Sequence, residues 1–282
     1  MSLNLIANAK INLGLRILSK RNDGYHELIT IFQRISLADR LTLDKINDKI
    51  EYFGPALTEN IEDNLCYKAA NVFRSRFGDN SGVRIKLEKI IPVGAGLGGG
   101  SSDAAAVLRG MRTLYNIPLD HSKLIEAASE VGADVPFFLR NIPSALGKGT
   151  GEILSPAHGL QSKYYLVVVK PDFSISTVLA YKLLDECLTF DKNNINMISH
   201  DFLTYTGGII TAQMTNDFEG PIFTVYPRLA EARNRMLNAG ADPAGLCGSG
   251  SAIYGVFNDS DKAQSVANEW CSPWLSYVCR PF

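Results

Sequence analysis

The chain has 282 residues, 46% apolar and 20% charged, enough for one large domain or two ordinary ones around a substantial core. Lys and Arg number 28 against 29 Asp and Glu, a formal net charge of −1. That balance argues against a nucleic-acid binder that works by bulk charge.

The predicted elements mix strands and helices throughout. Alternating apolar and polar residues in "LNLIANAKINLGLRIL" read as a strand, and "KRNDGYHE" interrupts it with the turn pair Asp23-Gly24. "LITIFQRISL" and "RLTLDKI" resume strand character. "NLCYKAANVFRSRFG" has helical spacing and closes at Gly78. "GVRIKLEKIIPV" is a strand that runs into a glycine-dense loop. "SSDAAAVLRGMRTLYN" follows as a helix with Ser or Asp available as its cap, then "DHSKLIEAASEVG" as another. "GADVPFFL" reads as a tight turn opening a short element. Glycine and proline gather in "GKGTGEILSPAHG", which marks a candidate domain junction. Beyond it come the strand "KYYLVVVKP", the helices "STVLAYKLLDECL" and "YPRLAEARNRMLNAG", a second glycine loop in "GLCGSGSAIYGVF" before a strand, and the helix "DKAQSVANEW". The expected class is α+β in two domains.

Cys66, Cys187, Cys247, Cys271 and Cys279 are odd in number, and no pair is spaced as CxxC. Reduced thiols in a cytoplasmic protein are the simplest reading, without disulfide framework or zinc site. The N-terminus lacks the basic start of a signal peptide, and "YYLVVV" is too short to span a bilayer. No membrane partner is expected.

"PVGAGLGGGSSDAAAVL" carries the chemistry. Gly94, Gly96 and Gly99 fit GxGxxG, but a dinucleotide site also needs a strand soon after the helix, and here another helix follows. The P-loop pattern GxxxxGK[ST] is absent. A plain surface turn would not need five glycines running straight into a helix. The remaining reading is a phosphate cradle of another kind, in which glycine backbone N–H groups and a helix N-terminus face an anion. Ser101 and Ser102 add hydroxyls that could contact phosphate or magnesium.

The stretch resembles the phosphate-binding motif of the GHMP kinases, the galacto-, homoserine, mevalonate and phosphomevalonate kinases. "AKINLGLRILSKRNDGYHEL", "GADVPFFL" and "GTGE" resemble the branch that phosphorylates a cytidyl diphosphate methylerythritol. The resemblance implies a ribosomal protein S5 domain 2-like N-terminal domain, residues 1–154, and a ferredoxin-like C-terminal domain, residues 155–282. It implies ATP with Mg2+ and phosphorylation of the 2-hydroxyl of the cytidyl substrate, in isoprenoid precursor biosynthesis. Lys10 and Asp134 match the catalytic pair: Asp134 would receive the hydroxyl proton, and Lys10 would keep Asp134 ionised and stabilise developing charge. ATP would lie on Pro92, Val93, Gly94, Ala95, Gly96, Leu97, Gly98, Gly99, Gly100, Ser101 and Ser102, with Asn64 and Lys89 at the adenosine end. Asn12, Tyr25, His26, Tyr181, Gly248, Ser249 and Gly250 match substrate contacts, with Tyr25 and Tyr181 offering ring faces to the cytosine.

The bland alternatives are a helix cap for Asp134, a strand lysine for Lys10 and a core ring for Tyr181. Cys247 stands where methionine, serine or threonine is expected, and its simplest reading is a small packed residue. No protein metal ligands are expected, and the oligomeric state is monomer or weak homodimer. Two rivals stay open: a GHMP kinase acting on another small alcohol, and an RNA-binding module built on the same S5-like fold.

Overall fold

The structure, a computed structural model, describes residues 2–78, 81–118, 120–187 and 215–282. These residues form two compact units that alternate along the chain. The first takes Met1–Ala9, Leu37–Val93 and Gly98–Ile142, and the second takes Lys10–Ser36, Gly94–Leu97 and Pro143–Phe282.

Two long paired strands, β1 (Ser2–Lys20) and β2 (His26–Asn47), contribute to both units. The Asp23-Gly24 turn joins them as expected, with Gly24 at φ 87°. The segments "LITIFQRISL" and "RLTLDKI" belong to this one continuous strand, β2.

In the first unit the C-terminal half of β2 pairs antiparallel with β4 (Ser81–Glu88), and β4 pairs parallel with the short β3 (Ile50–Phe53). Helices α1 (Leu65–Phe77), α2 (Gly99–Leu114), α3 (His121–Val131) and α4 (Val135–Arg140) pack on one another. Ala104 to Leu108 are all fully buried, so α2 is enclosed on every side over this turn, and its three alanines allow close approach of its neighbours. At Gly110 a Cβ would lie 2.3 Å from Leu43 Cδ1 and 2.7 Å from Leu5 Cδ1, so the helix touches β1 and β2 there.

The cap expected from Ser or Asp is not the one used. α2 begins at Gly99, its N-cap is Gly98 at φ 68°, and no side chain caps it. Ser101, Ser102 and Asp103 lie inside the helix. A non-glycine residue is disfavoured at such a left-handed position, so the glycine sets the start of the helix.

In the second unit the N-terminal half of β2 pairs with β5 (Ser144–Gly149), and β5 with β6 (Ile153–Pro156). The glycine- and proline-rich stretch read as a junction is therefore largely a β-hairpin. A second sheet is antiparallel with the order β10-β7-β9-β8, from β7 (Tyr165–Lys170), β8 (Ala244–Leu246), β9 (Ile253–Phe257) and β10 (Leu275–Cys279). Helices α5 (Thr177–Cys187), α6 (Glu219–Val225), α7 (Pro227–Asn238) and α8 (Ser260–Asn268) complete the unit. Its core gathers Val167 and Val169 of β7, Leu184 of α5, Ile222 of α6, Met236 of α7 and Val266 of α8. The helix read as "STVLAYKLLDECL" is described as far as Cys187; Leu188 lies outside the described residues.

Candidate active site

Lys10 sits in the middle of β1 and is buried, at 5% exposure. Its backbone N–H donates to the Leu97 carbonyl at 2.9 Å. Its ammonium donates to Asn12 Oδ1 at 2.8 Å. Asn12, two residues along the strand and on the same face, donates from Nδ2 to Thr30 Oγ1 at 2.8 Å. The Thr30 hydroxyl donates in turn to the Gly14 carbonyl at 2.6 Å. This chain fixes the Asn12 amide with its oxygen toward Lys10. Lys10 is thus no solvent-facing strand lysine; it is a buried cation on a fully hydrogen-bonded support.

The glycine loop has two anchored parts. Gly94, Gly96 and Gly98 all have positive φ, and the intervening Ala95 and Leu97 do not. Alternation of handedness is the backbone pattern that turns successive N–H groups toward one anion. In the second unit, Gly94 to Leu97 lie against the loop that follows β8. A Cβ on Gly96 would lie 1.8 Å from the Cys247 carbonyl oxygen, and Ala252 N–H donates to the Ala95 carbonyl at 3.2 Å. A Cβ on Gly248 would lie 3.2 Å from Asn12 Oδ1, 3.2 Å from the Gly96 carbonyl and 3.4 Å from Lys10 Nζ. Within this unit the structure brings Lys10, Asn12, Gly96 and Gly248 together.

Ser249 lies beside Thr177, with the two hydroxyls 3.2 Å apart, and Gly250 donates to the Cys247 carbonyl at 2.8 Å. Cys247 is fully buried, and burial drives its thiol far above the ordinary range. The packed-residue reading of Cys247 therefore holds.

Three residues missed in the sequence brace the surroundings of this loop, Asn216 and Glu219 at the loop itself and Asp217 at β1. Asn216 Nδ2 donates to the Leu246 and Gly248 carbonyls at 3.0 and 2.7 Å. Asp217 receives the Ile17 N–H at 2.7 Å and pairs with Arg16 at 2.8 Å. Glu219 receives the Leu246 N–H at 2.9 Å. The run "NDFE" was the visible signal: three polar side chains before an apolar helix, in reach of backbone groups on two other segments.

Tyr25 and His26 part company after the turn. Tyr25 is 65% exposed, unusual for a large aromatic, while His26 is 5% exposed. His26 Nε2 lies 2.6 Å from Asp185 Oδ1, and Lys20 holds the other oxygen at 2.5 Å. Burial disfavours the Asp185 carboxylate, but hydrogen bonds from Lys20 and His26 outweigh it and hold it below its usual range. Tyr181 stacks directly on His26, centroids 4.6 Å apart, and meets Phe218 in a T-shaped contact. Its ring is therefore half-way between the two expectations: it packs on the core and also backs His26. Asp185, one helical turn after Tyr181, was not singled out from sequence because a lone helical aspartate reads as a solvated face.

In the first unit, Asp134 occupies the N-cap position of α4 yet makes no capping hydrogen bond from its side chain. The cap reading of Asp134 is thereby removed. Asn64 caps α1, accepting the Cys66 N–H at 2.9 Å, and is buried. Lys89 follows β4, and its ammonium donates to Asp39 and Asp103 at 2.6 Å each. The nitrogen expected at the adenosine end is thus engaged by two buried carboxylates. Among the described residues no cluster of three or more His, Cys, Asp or Glu could hold a metal, and no helix is long and apolar enough to cross a membrane.

Residues 64–141 match the family model for the GHMP kinases N terminal domain, and residues 206–275 that for GHMP kinases C terminal. A 4-diphosphocytidyl-2-C-methyl-D-erythritol kinase of Thermodesulfovibrio yellowstonii is 39% identical over 276 residues, covering 96% of this chain and 95% of that one. The chain belongs to the 4-diphosphocytidyl-2-C-methyl-D-erythritol kinase family of GHMP kinases. A member of the same name from Moorella thermoacetica is 40% identical, covering 94% of each chain. A crystal structure of 4-(cytidine 5'-diphospho)-2C-methyl-D-erythritol kinase superposes with a TM-score of 0.78 at 36% identity, over 99% of this chain and 100% of that one. A homoserine kinase from Cytophaga hutchinsonii reaches a TM-score of 0.76 at 15% identity, over 99% and 95% of the two chains, a likeness of fold alone. The GHMP fold places the glycine loop and the α2 N-terminus in its N-terminal family domain and the Cys247–Gly250 loop in its C-terminal one.

Proposed function

We propose that the protein transfers the γ-phosphoryl group of ATP to the tertiary 2-hydroxyl of 4-diphosphocytidyl-2-C-methyl-D-erythritol, giving the 2-phosphate and ADP. The observation that carries this is the buried, hydrogen-bonded Lys10 held against a glycine loop of alternating φ, in a chain whose relatives bear that name. The ATP phosphates lie on residues 92–102. The left-handed Gly98 and the first turn of α2 supply N–H donors, and the helix dipole favours the charge. Ser101 and Ser102 hydroxyls would help hold the magnesium that accompanies the nucleotide, which would neutralise its phosphates.

The substrate oxygen attacks the γ-phosphorus, the bond from that phosphorus to the ADP oxygen breaks, and the hydroxyl proton passes to the Asp134 carboxylate. Lys10 stabilises the negative charge that develops on the transferred group, oriented by Asn12. Tyr25 offers its exposed face to the cytosine, and His26, backed by Tyr181 and held by Asp185, reads its polar edge. Gly248, Ser249 and Gly250 close on the diphosphate, and Asn64 lies at the adenosine end. A cytoplasmic location and a monomer or weak homodimer complete the reading.

A coupled assay for ADP over a panel of alcohols tests it. Turnover of the cytidyl compound is expected, with none of homoserine or mevalonate. Turnover of either of those alone would give the protein a different acceptor. Tight, steeply salt-dependent RNA binding without kinase turnover would favour the RNA-binding rival.

A further inference from the structure

Under the first turn of α2 lies a buried group of three charges. Lys89 Nζ is 2.6 Å from Asp39 Oδ2 and 2.6 Å from Asp103 Oδ2, and both aspartates are wholly inaccessible. A Cβ on Gly99, the first residue of the helix, would lie only 3.0 Å from that ammonium. The group thus joins three segments, β2, the turn after β4, and α2, directly beneath the proposed phosphate seat.

The two carboxylates are not equivalent. Asp39 Oδ1 receives the Ile90 and Ile91 N–H groups at 2.6 and 2.8 Å, besides the ammonium on its other oxygen. Both Asp39 oxygens are therefore hydrogen-bonded. Asp103 has Lys89 on one oxygen, and its Oδ1 is buried without a hydrogen-bond partner. An ionised carboxylate with an unsatisfied buried oxygen is costly, and a neutral carboxyl is far less so. With both aspartates ionised the group carries a net negative charge beneath a helix end that must receive phosphate. With a proton on Asp103 it is neutral.

We propose that Asp39, Lys89 and Asp103 form a positioning element for the nucleotide, and that ATP binding is coupled to a proton held on Asp103. The inference rests on the assignment of the glycine loop to ATP. Lys89 then acts on the nucleotide through the helix it underpins.

The neighbouring titratable groups fit. Burial pushes Asp103 up to about 8, with Asp39 adding to the rise and Lys89 opposing it. Burial works against the Lys89 ammonium, but the two carboxylates outweigh it and raise its pKa. Cys66 of α1 and Tyr52 of β3 also feel the group, and burial raises both, so they stay neutral across the range in which Asp103 titrates.

Calorimetric titration of the full chain with Mg·ATP between pH 7.5 and 9.5, in buffers of differing ionisation heat, tests the coupling. The wild type should take up a proton on binding near pH 8, and its affinity should fall by up to about tenfold per pH unit above that, the limit for one proton. Asp103→Asn, which mimics the protonated carboxyl, should bind without proton uptake and with a flat profile. Asp103→Ala should bind more weakly than Asp103→Asn at every pH. Wild-type affinity that is independent of pH, or uptake that persists in Asp103→Asn, would overturn the coupling. Absence of ATP binding at any pH would instead overturn the assignment of the loop.

Discussion

Lys10 and Asn12, two residues apart on one face of β1, meet through a 2.8 Å hydrogen bond from the ammonium to the amide oxygen. The amide cannot turn over, because its nitrogen is spent on Thr30. Asn12→Ala removes the acceptor that aims the ammonium. A fall in kcat of about 10–100-fold is expected, with KM for ATP changed much less, as steady-state kinetics would show. An unchanged kcat would remove Asn12 from the support of Lys10.

Asp134→Asn should lower kcat by about 10²–10⁴-fold while ATP binding is kept, because only the proton acceptor is lost. Parallel measurement of turnover and of ATP affinity checks this. A loss confined to ATP affinity would assign Asp134 to a different task.

Gly96→Ala tests the close approach of the two glycine loops. The added Cβ has no room beside the Cys247 carbonyl oxygen, and φ of 75° disfavours alanine independently. A loss of roughly 3 kcal/mol in urea unfolding is expected, within the range for backbone strain and overpacking combined. A variant as stable as the wild type would contradict the packing of these loops.

Much of this was legible in the sequence, for local physical reasons. Helices α1, α3 and α7 announced themselves by period and by a glycine at or just past their ends, and the dense glycines by the conformations that only glycine adopts freely, whereas the short α6 went unread. The start of α2 was misread because a serine run looks like a cap, whereas Gly98 in its left-handed conformation does that work. β3, β6, β8 and β10 are three to five residues long, too short for periodicity to register. Asn216, Asp185, Asp39 and Asp103 act through partners on other segments, from 14 to 165 residues away in the chain, and no local pattern encodes such meetings.

Asp185→Asn should raise KM for the cytidyl substrate by about tenfold, the cost of weakening a charge-assisted hydrogen bond to His26, and leave KM for ATP alone. His26→Ala should raise it as well, and the double variant should lose less than the sum of the two, since the residues act as a pair. Full additivity would separate them.

Asp103 also predicts how stability varies with pH. Its folded-state pKa of about 8 lies above an unfolded value near 4, so the folded chain holds this proton more tightly. Its contribution is fully present below pH ~4 and is lost progressively as pH rises toward 8. Urea unfolding from pH 5 to 9 should therefore show a steeper decline for the wild type than for Asp103→Asn. Parallel curves would mean that Asp103 is ionised in the folded chain.

The most direct measurement is ³¹P NMR of the purified chain with Mg·ATP and the cytidyl diphosphate methylerythritol. The account predicts ADP and a new phosphomonoester on the tertiary carbon in equal amounts, both suppressed in Asp134→Asn. ADP without the phosphomonoester, or no reaction with this acceptor while homoserine or mevalonate is phosphorylated, would contradict it.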